Sequence, residues 1–193
     1  QQTQKTYKEE KSMATVQPIR DTENIENMKR VLKKNGQRDY MLFLTGINTG
    51  LRISDILKLN VVDVKGKSHI NITEKKTGKK KRLLLNAPFK AELDEYILDM
   101  ADEEPLFKSQ KGINQPICGI RAWGILKEAA KQCGLEEIGT HTLRKTFGYH
   151  FYQQYKDVAL LQDIFNHSSP SVTLRYIGIN ADIIDTAISN FNL

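Results

Sequence analysis

Apolar residues recur at helical spacing along most of the chain. From Thr22, a residue type that caps helices, Ile25, Met28, Val31 and Leu32 fall on one face until Asn35-Gly36 interrupts the pattern. Tyr40, Phe43, Leu44 and Ile47 then recur at i, i+3, i+4 and i+7, and Gly50 closes that helix. Arg52 stands at the start of a short helix, among Leu51, Ile56, Leu57 and Leu59 as core contacts. Beyond it the period changes. Val61-Val62-Asp63-Val64, His69-Ile70-Asn71-Ile72-Thr73 and Arg82-Leu83-Leu84-Leu85 read as short strands, with turns at Lys65-Gly66-Lys67 and Lys76-Thr77-Gly78-Lys79. These strands predict a small three-stranded antiparallel sheet whose last hairpin has a lysine-rich tip.

Helical spacing returns with Phe89, Leu93, Tyr96, Ile97 and Met100, followed by a loop over 104–116. Ile117, Ile120, Trp123, Ile125 and Ala130 mark the next helix, with Trp123 as a core anchor and Gly134 as the stop. Thr140 can cap a helix carrying Leu143, Phe147 and Phe151. A shorter helix over 157–165 turns Val158, Leu161, Ile164 and Phe165 inward and ends at Asn166, a residue that tolerates the left-handed conformation. Ser169-Pro170 restarts a helix that reaches Tyr176, and a last amphipathic segment carries Ile183, Ile184, Ala187, Ile188 and Phe191. Residues 1–20 are polar and without periodicity, so they read as a disordered linker or as a boundary where something upstream was removed. The expected fold class is α+β and mainly α-helical, with one domain over 21–193.

Composition narrows the function classes. At 193 residues, 39% hydrophobic and 27% charged, the chain can bury one sizeable core. No apolar run approaches the roughly 20 residues of a membrane helix, so a cytoplasmic location with no membrane partner is the expectation. Cys118 and Cys133 lack metal-ligand spacing and read as buried free thiols, and the histidines at 69, 141, 150 and 167 are scattered, so no metal site is expected. The net charge of +6 is modest, but segment 65–82 holds eight basic residues against the single acid Glu74, a local balance of +7. Basic charge concentrated on one element is the footprint of a polyanion partner; a well-solvated hairpin accounts for charge alone equally well.

The chemistry lies in five sparse signals. Arg52 follows Thr49-Gly50-Leu51; Lys76 precedes Thr77-Gly78; His141 and Arg144 stand three apart, where they can share a helix face; His167 follows; and Tyr176 comes nine residues later. Taken singly, each has an ordinary structural reading. Arg52 can pair with Asp55, His141 and His167 can be satisfied helix-end residues, Lys76 can be one of many solvated lysines, and Tyr176 can be a half-buried core tyrosine.

In this order and spacing the set resembles the catalytic domain of the tyrosine recombinases, the phage-integrase family, over residues 22–193. The resemblance implies a helical catalytic domain with the small sheet on one side and an N-terminal DNA-clamping module absent from this chain. It makes Arg52 and Arg144 the phosphate-binding arginines and Lys76 the hairpin lysine, with Lys75 as the competitor for that role. His141 completes the His-x-x-Arg pair, His167 takes a position the family fills with His or Trp, and Tyr176 is the nucleophile. One departure is Phe165-Asn166 before His167, where the family more usually has Leu-Gly; Asn can replace Gly at a positive backbone dihedral.

The implied activity is site-specific DNA recombination for a mobile element through a 3′-phosphotyrosyl intermediate, without a metal or other cofactor. The implied partner is double-stranded DNA, bound by a homotetramer of a chain that is monomeric when free, in the bacterial or phage nucleoid, with an accessory directionality factor. Lys75, Lys79, Lys80 and Lys81 are the candidate DNA-backbone contacts. A catalytically inactive DNA-binding protein of the same fold, a type IB topoisomerase-like nicking-closing enzyme and a telomere resolvase are the competing readings. The last helix can dock on a neighbouring protomer, as in relatives, or fold back on its own core.

Overall fold

A computed structural model describes residues 16–191. Two long helices, α1 (Thr22–Asn35) and α2 (Gln37–Thr49), open it and pack on each other across Gly36. The cap of α1 is Asp21, one residue ahead of Thr22, with its carboxylate accepting from the Glu23 N–H. A short α3 (Ile53–Ile56) follows, then a two-stranded antiparallel hairpin of β1 (His69–Thr73) and β2 (Lys80–Leu84) in which Ile70 pairs with Leu83 and Ile72 with Lys81. Helices α4 (Ala87–Tyr96), α5 (Gly119–Gln132), α6 (Thr140–Tyr155), α7 (Val158–Phe165), α8 (Pro170–Ile177) and α9 (Ile179–Ser189) complete the fold. It is mainly helical with a small antiparallel sheet, as the class expectation holds.

The expected third strand is a 3₁₀ turn over Val61–Asp63. Its backbone bonds explain why. The Val61 and Val62 N–H groups donate to the carbonyls of Glu104 and Asp102, and Asp63 accepts from the Asn60 N–H at 2.9 Å. Val61 and Val64, three apart, are both fully buried while Val62 is exposed, the spacing of a helical turn rather than the alternation of a strand.

Local packing corrects other expectations. Trp123 is half exposed at 49% and Ile120 is more so, because α5 buries the face of Ala122, Ile125, Leu126 and Ala129 instead. Cys118 is exposed at the N-terminus of α5 and Cys133 is half-buried, so neither is a fully buried thiol. Gly139, not Thr140, precedes α6, with the Thr142 hydroxyl accepting from its N–H. Residues 16–20, expected to belong to a linker, lie against α6: Ile19 is buried, its N–H donates to the Thr146 hydroxyl at 2.9 Å, and Lys145 donates to the Val16 carbonyl. Residues 1–15, the rest of that expected linker, lie outside the described residues.

Two glycines position the segment that carries Arg52. A Cβ on Gly46 would sit 2.4 Å from Cδ1 of Leu143, so the absence of a side chain is what lets α2 and α6 approach this closely. Gly50 adopts φ 61° and ends α2, and a Cβ there would meet the Phe147 ring at 2.5 Å. The chain therefore turns sharply over α6 just before Arg52. Most apolar side chains form one large core around α1, α2, α4 and α5, whereas Leu161, Phe165, Tyr176, Ile177 and Ile179 form a second, smaller cluster on the C-terminal helices.

Candidate active site

The site lies between those clusters, where α3, the hairpin, α6 and α8 converge. Arg144 is its centre. It is 2% exposed, donates from Nη1 to the Gly50 carbonyl at 2.5 Å and from Nη2 to the Phe165 carbonyl at 2.7 Å, and lies 4.1 Å from the centroid of the Phe165 ring. Burial pushes its pKa down to about 10, yet it stays charged at neutral pH. Arg52, the residue preceding α3, reaches the same region, with Nη1 3.0 Å from Oε1 of Glu74. That contact is ionic without hydrogen-bond geometry, so the buried Nη1 has no hydrogen-bond partner among the described residues. Arg52 therefore pairs with Glu74 and not with Asp55, whose carboxylate instead accepts from the Lys75 N–H at 2.9 Å.

Tyr176, near the end of α8, is 8% exposed, and its buried hydroxyl makes no hydrogen bond among the described residues. Its ring meets those of Phe165 and His167 edge-on, at 5.7 and 5.0 Å between centroids. Burial raises its pKa, and the positive charges of Arg144 and Arg52 work in the opposite direction. A tyrosine in this setting is protonated at neutral pH, but the two guanidinium groups near it are what would stabilise a phenolate.

His167 is held by its own turn. Asn166 takes φ 57° in the left-handed region, the Gln162 side chain donates to the His167 carbonyl, and Nδ1 lies 3.1 Å from the Thr173 hydroxyl. Asparagine thus fills the position for which the resemblance gave Gly. Burial, with the charges of Arg144, Arg52 and Lys81, pushes the His167 imidazole down to about 4. His141 is lowered too, first by burial and then by Lys145, Arg144, Arg52 and Lys76. Both rings are neutral at physiological pH, which leaves each able to accept a proton or to donate a hydrogen bond.

The lysines divide. Lys75, Lys76, Lys79 and Lys80 are exposed on and beside the hairpin loop, although Lys79 reaches Oδ1 of Asn166 at 3.0 Å. Lys81 points inward, donating to the Ile164 carbonyl and lying 3.2 Å from Oε1 of Glu74. Burial and the charge of Arg144 lower its pKa, while Glu74 raises it. The fold thus brings Arg52, Arg144, His141, His167, Tyr176 and Lys81 together, and it leaves Lys76 on an exposed loop.

Sequence reasoning missed two carboxylates. Glu74, 1% exposed, joins Arg52, Lys81 and Thr77; burial raises its pKa, but the Thr77 hydrogen bond and the charges of Lys81 and Arg52 overcome this and bring it to about 2. Asp55 anchors the hairpin loop to α3 through the Lys75 N–H. The signal for Glu74 was its position as the single acid in the basic segment, since a lone carboxylate among eight cations has every reason to be paired.

Such an arrangement can bind a phosphate diester between two guanidinium groups, each with donors in a planar fork suited to non-bridging oxygens. It sets the Tyr176 ring against the neutral His167 imidazole, with the neutral His141 imidazole in the field of the same two arginines. Among the described residues no group of His, Cys, Asp or Glu has the arrangement of a metal site, and no helix is long and apolar enough to cross a membrane.

Known proteins give a consistent context. The phage integrase family matches residues 20–182. The chain is 56% identical over 179 residues to the probable integrase/recombinase YoeC of Bacillus subtilis, covering 93% of this chain and 98% of that protein. It is 27% identical to the tyrosine recombinase XerA of Pyrococcus furiosus and 32% identical to XerD of Corynebacterium glutamicum, spanning 60% and 49% of their lengths. The crystal structure of XerA recombinase superposes with a TM-score of 0.73 at 20% identity, over 92% of this chain and 67% of that one. A post-cleavage complex of the XerH recombinase with its palindromic difH substrate gives 0.70 at 21% identity, over 90% and 53%. These two likenesses concern the fold; the sequence matches carry the kinship, and the chain belongs to the phage integrase family of tyrosine recombinases.

Proposed function

We propose that this chain, an enzyme of the tyrosine recombinase class, cuts and rejoins double-stranded DNA at a specific site of a mobile element, with Tyr176 as the nucleophile and without a metal ion. The observation that carries the reading is the buried Tyr176 hydroxyl, without a well-formed hydrogen bond among the described residues, in the field of the Arg144 and Arg52 guanidinium groups and on a ring packed against the neutral His167 imidazole. In this reading Arg52 and Arg144 hold the non-bridging oxygens of the scissile phosphate. Arg144 is preorganised by its two carbonyl bonds, and loss of one such donor typically costs about 3 to 4 kcal/mol of the barrier.

The steps balance without an outside energy source. The Tyr176 oxygen attacks phosphorus, its proton passing toward His141, and the bond from phosphorus to the 5′-oxygen breaks. Lys76 extends its side chain from its loop and gives that oxygen a proton, and His167 donates a hydrogen bond to a non-bridging oxygen. The products are a 3′-phosphotyrosyl ester and a 5′-hydroxyl, and attack by a 5′-hydroxyl reverses the sequence, so resealing needs no ATP. Lys75, Lys79 and Lys80 supply sequence-independent contacts to the DNA backbone. Assembly into a tetramer on DNA in the nucleoid, with an accessory directionality factor, belongs to the same proposal; the exposed apolar face of α9 supports the assembly.

The test is adduct formation in EDTA on a nicked duplex carrying the junction sequence that flanks the gene. A covalent species resistant to denaturant should form with the wild-type chain and be absent with Tyr176→Phe. Survival of the adduct in that variant, or its formation only with added metal, overturns the proposal.

A further inference from the structure

Glu74 divides its carboxylate between two tasks. Oε1 lies 3.0 Å from Arg52 Nη1 and 3.2 Å from Lys81 Nζ, while Oε2 accepts a hydrogen bond from the Thr77 hydroxyl at 2.7 Å. Its backbone closes the same loop, donating to the Lys79 carbonyl and accepting from the Gly78 N–H. The Thr77 hydroxyl also accepts from the Lys79 N–H at 3.3 Å, and Asp55 holds the Lys75 N–H. The loop that carries the exposed Lys76 is therefore fastened at its base by one buried carboxylate that also touches a phosphate-binding arginine.

An exposed ion pair would mean little, but here the carboxylate is 1% exposed and its cationic partners are largely buried. A carboxylate so far from water persists only where cations and hydrogen bonds compensate it, and its removal would leave Arg52 and Lys81 uncompensated in turn. A lysine on a flexible four-carbon stem cannot meet one leaving oxygen reproducibly unless its backbone is fixed relative to the phosphate. Glu74 supplies that fixed relation.

We infer that Glu74 is a positioning residue for strand cleavage: through Thr77 it holds the loop of residues 75–79, and with it Lys76, in register with Arg52. The inference rests on the reading of Lys76 as proton donor to the 5′-oxygen. Glu74 itself transfers no proton.

The experiment compares single-turnover cleavage of two duplexes that differ only in oxygen or sulfur at the bridging 5′ position of the scissile phosphate. A thiolate leaves without a proton, so sulfur selectively repairs defects in proton donation. Glu74→Gln should slow cleavage of the oxygen substrate on the order of 100-fold, the effect of about an ångström of misplacement. It should recover most of that loss on the sulfur substrate, as Lys76→Ala should. Equal slowing of Glu74→Gln on both substrates, with Lys76→Ala recovering, overturns the inference and leaves the role of Lys76 intact. Failure of Lys76→Ala to recover overturns both. Thr77→Val, which keeps both ion pairs of Glu74, decides the matter if Glu74→Gln does not fold: sulfur-selective recovery supports the inference and its absence overturns it.

Discussion

Arg144 gives two of its five donors to backbone carbonyls before any DNA arrives, and its plane rests on the Phe165 ring. The residue at the centre of the site is thus also a structural tie between the end of α2 and the end of α7. Neighbouring His167 carries a measurable consequence of the same crowding. In the unfolded chain it titrates near 6.5, whereas in the folded one burial and the nearby cations hold it at about 4. Between those values the unfolded chain binds more protons, so the stability linked to this group is present above about pH 6.5 and is lost as pH falls toward 4. The loss is at most about 1.4 kcal/mol per pH unit. Urea unfolding at pH 7 and pH 5 should show a smaller decline for His167→Gln than for the wild type, with the remainder including His141, lowered for the same first cause. An equal decline in both proteins would refute the assignment.

At the scale of elements, the arginine pair depends on how closely α2 and α6 approach. Gly46→Ala would place a methyl 2.4 Å from the Leu143 side chain, inside two well-packed helices. Overpacking of this kind costs about 1 to 3 kcal/mol. The expected outcome is a lowered urea midpoint together with weakened cleavage, because separating the helices moves Gly50 and Arg52 from Arg144; unchanged stability and cleavage would show that the contact is soft. The helices themselves were legible in the sequence because their apolar positions repeat at 3.6 residues and their ends carry Gly, Asn or Ser-Pro signals. The segment 61–64 was not, since Val-Val-Asp-Val fits a strand by propensity and only the distant carbonyls of Asp102 and Glu104 decide for a 3₁₀ turn. Trp123 was misplaced for a related reason: α5 has apolar residues on more than one face, and periodicity alone does not say which face meets the core. Glu74 and the inward turn of Lys81 stayed hidden because the pairing of charges across a hairpin is a matter of register and burial, which composition does not record.

At the scale of the whole molecule, α9 remains without a core of its own. Ile179 at its start is buried and Asp182 pairs with Arg20 at 2.7 Å, which fixes the direction in which the helix leaves. Beyond that turn Ile183, Ile184 and Ile188, with Phe191 just past its end, are each more than half exposed. The helix does not fold back onto its own core, and four large apolar side chains within one stretch of nine positions are what a helix-in-groove contact with a second protomer requires. Replacing Ile184 and Ile188 together by Asp tests this directly. Because both side chains already face water, the stability of the free chain should change by no more than about 0.5 kcal/mol per site. Covalent cleavage of a single half-site should persist, while tetramers on a full site, counted by mass photometry or native electrophoresis, should fall sharply. If the free chain lost its cooperative unfolding, α9 would belong to the monomer's own core; if tetramers formed as before, the contact that joins protomers would lie elsewhere on the surface.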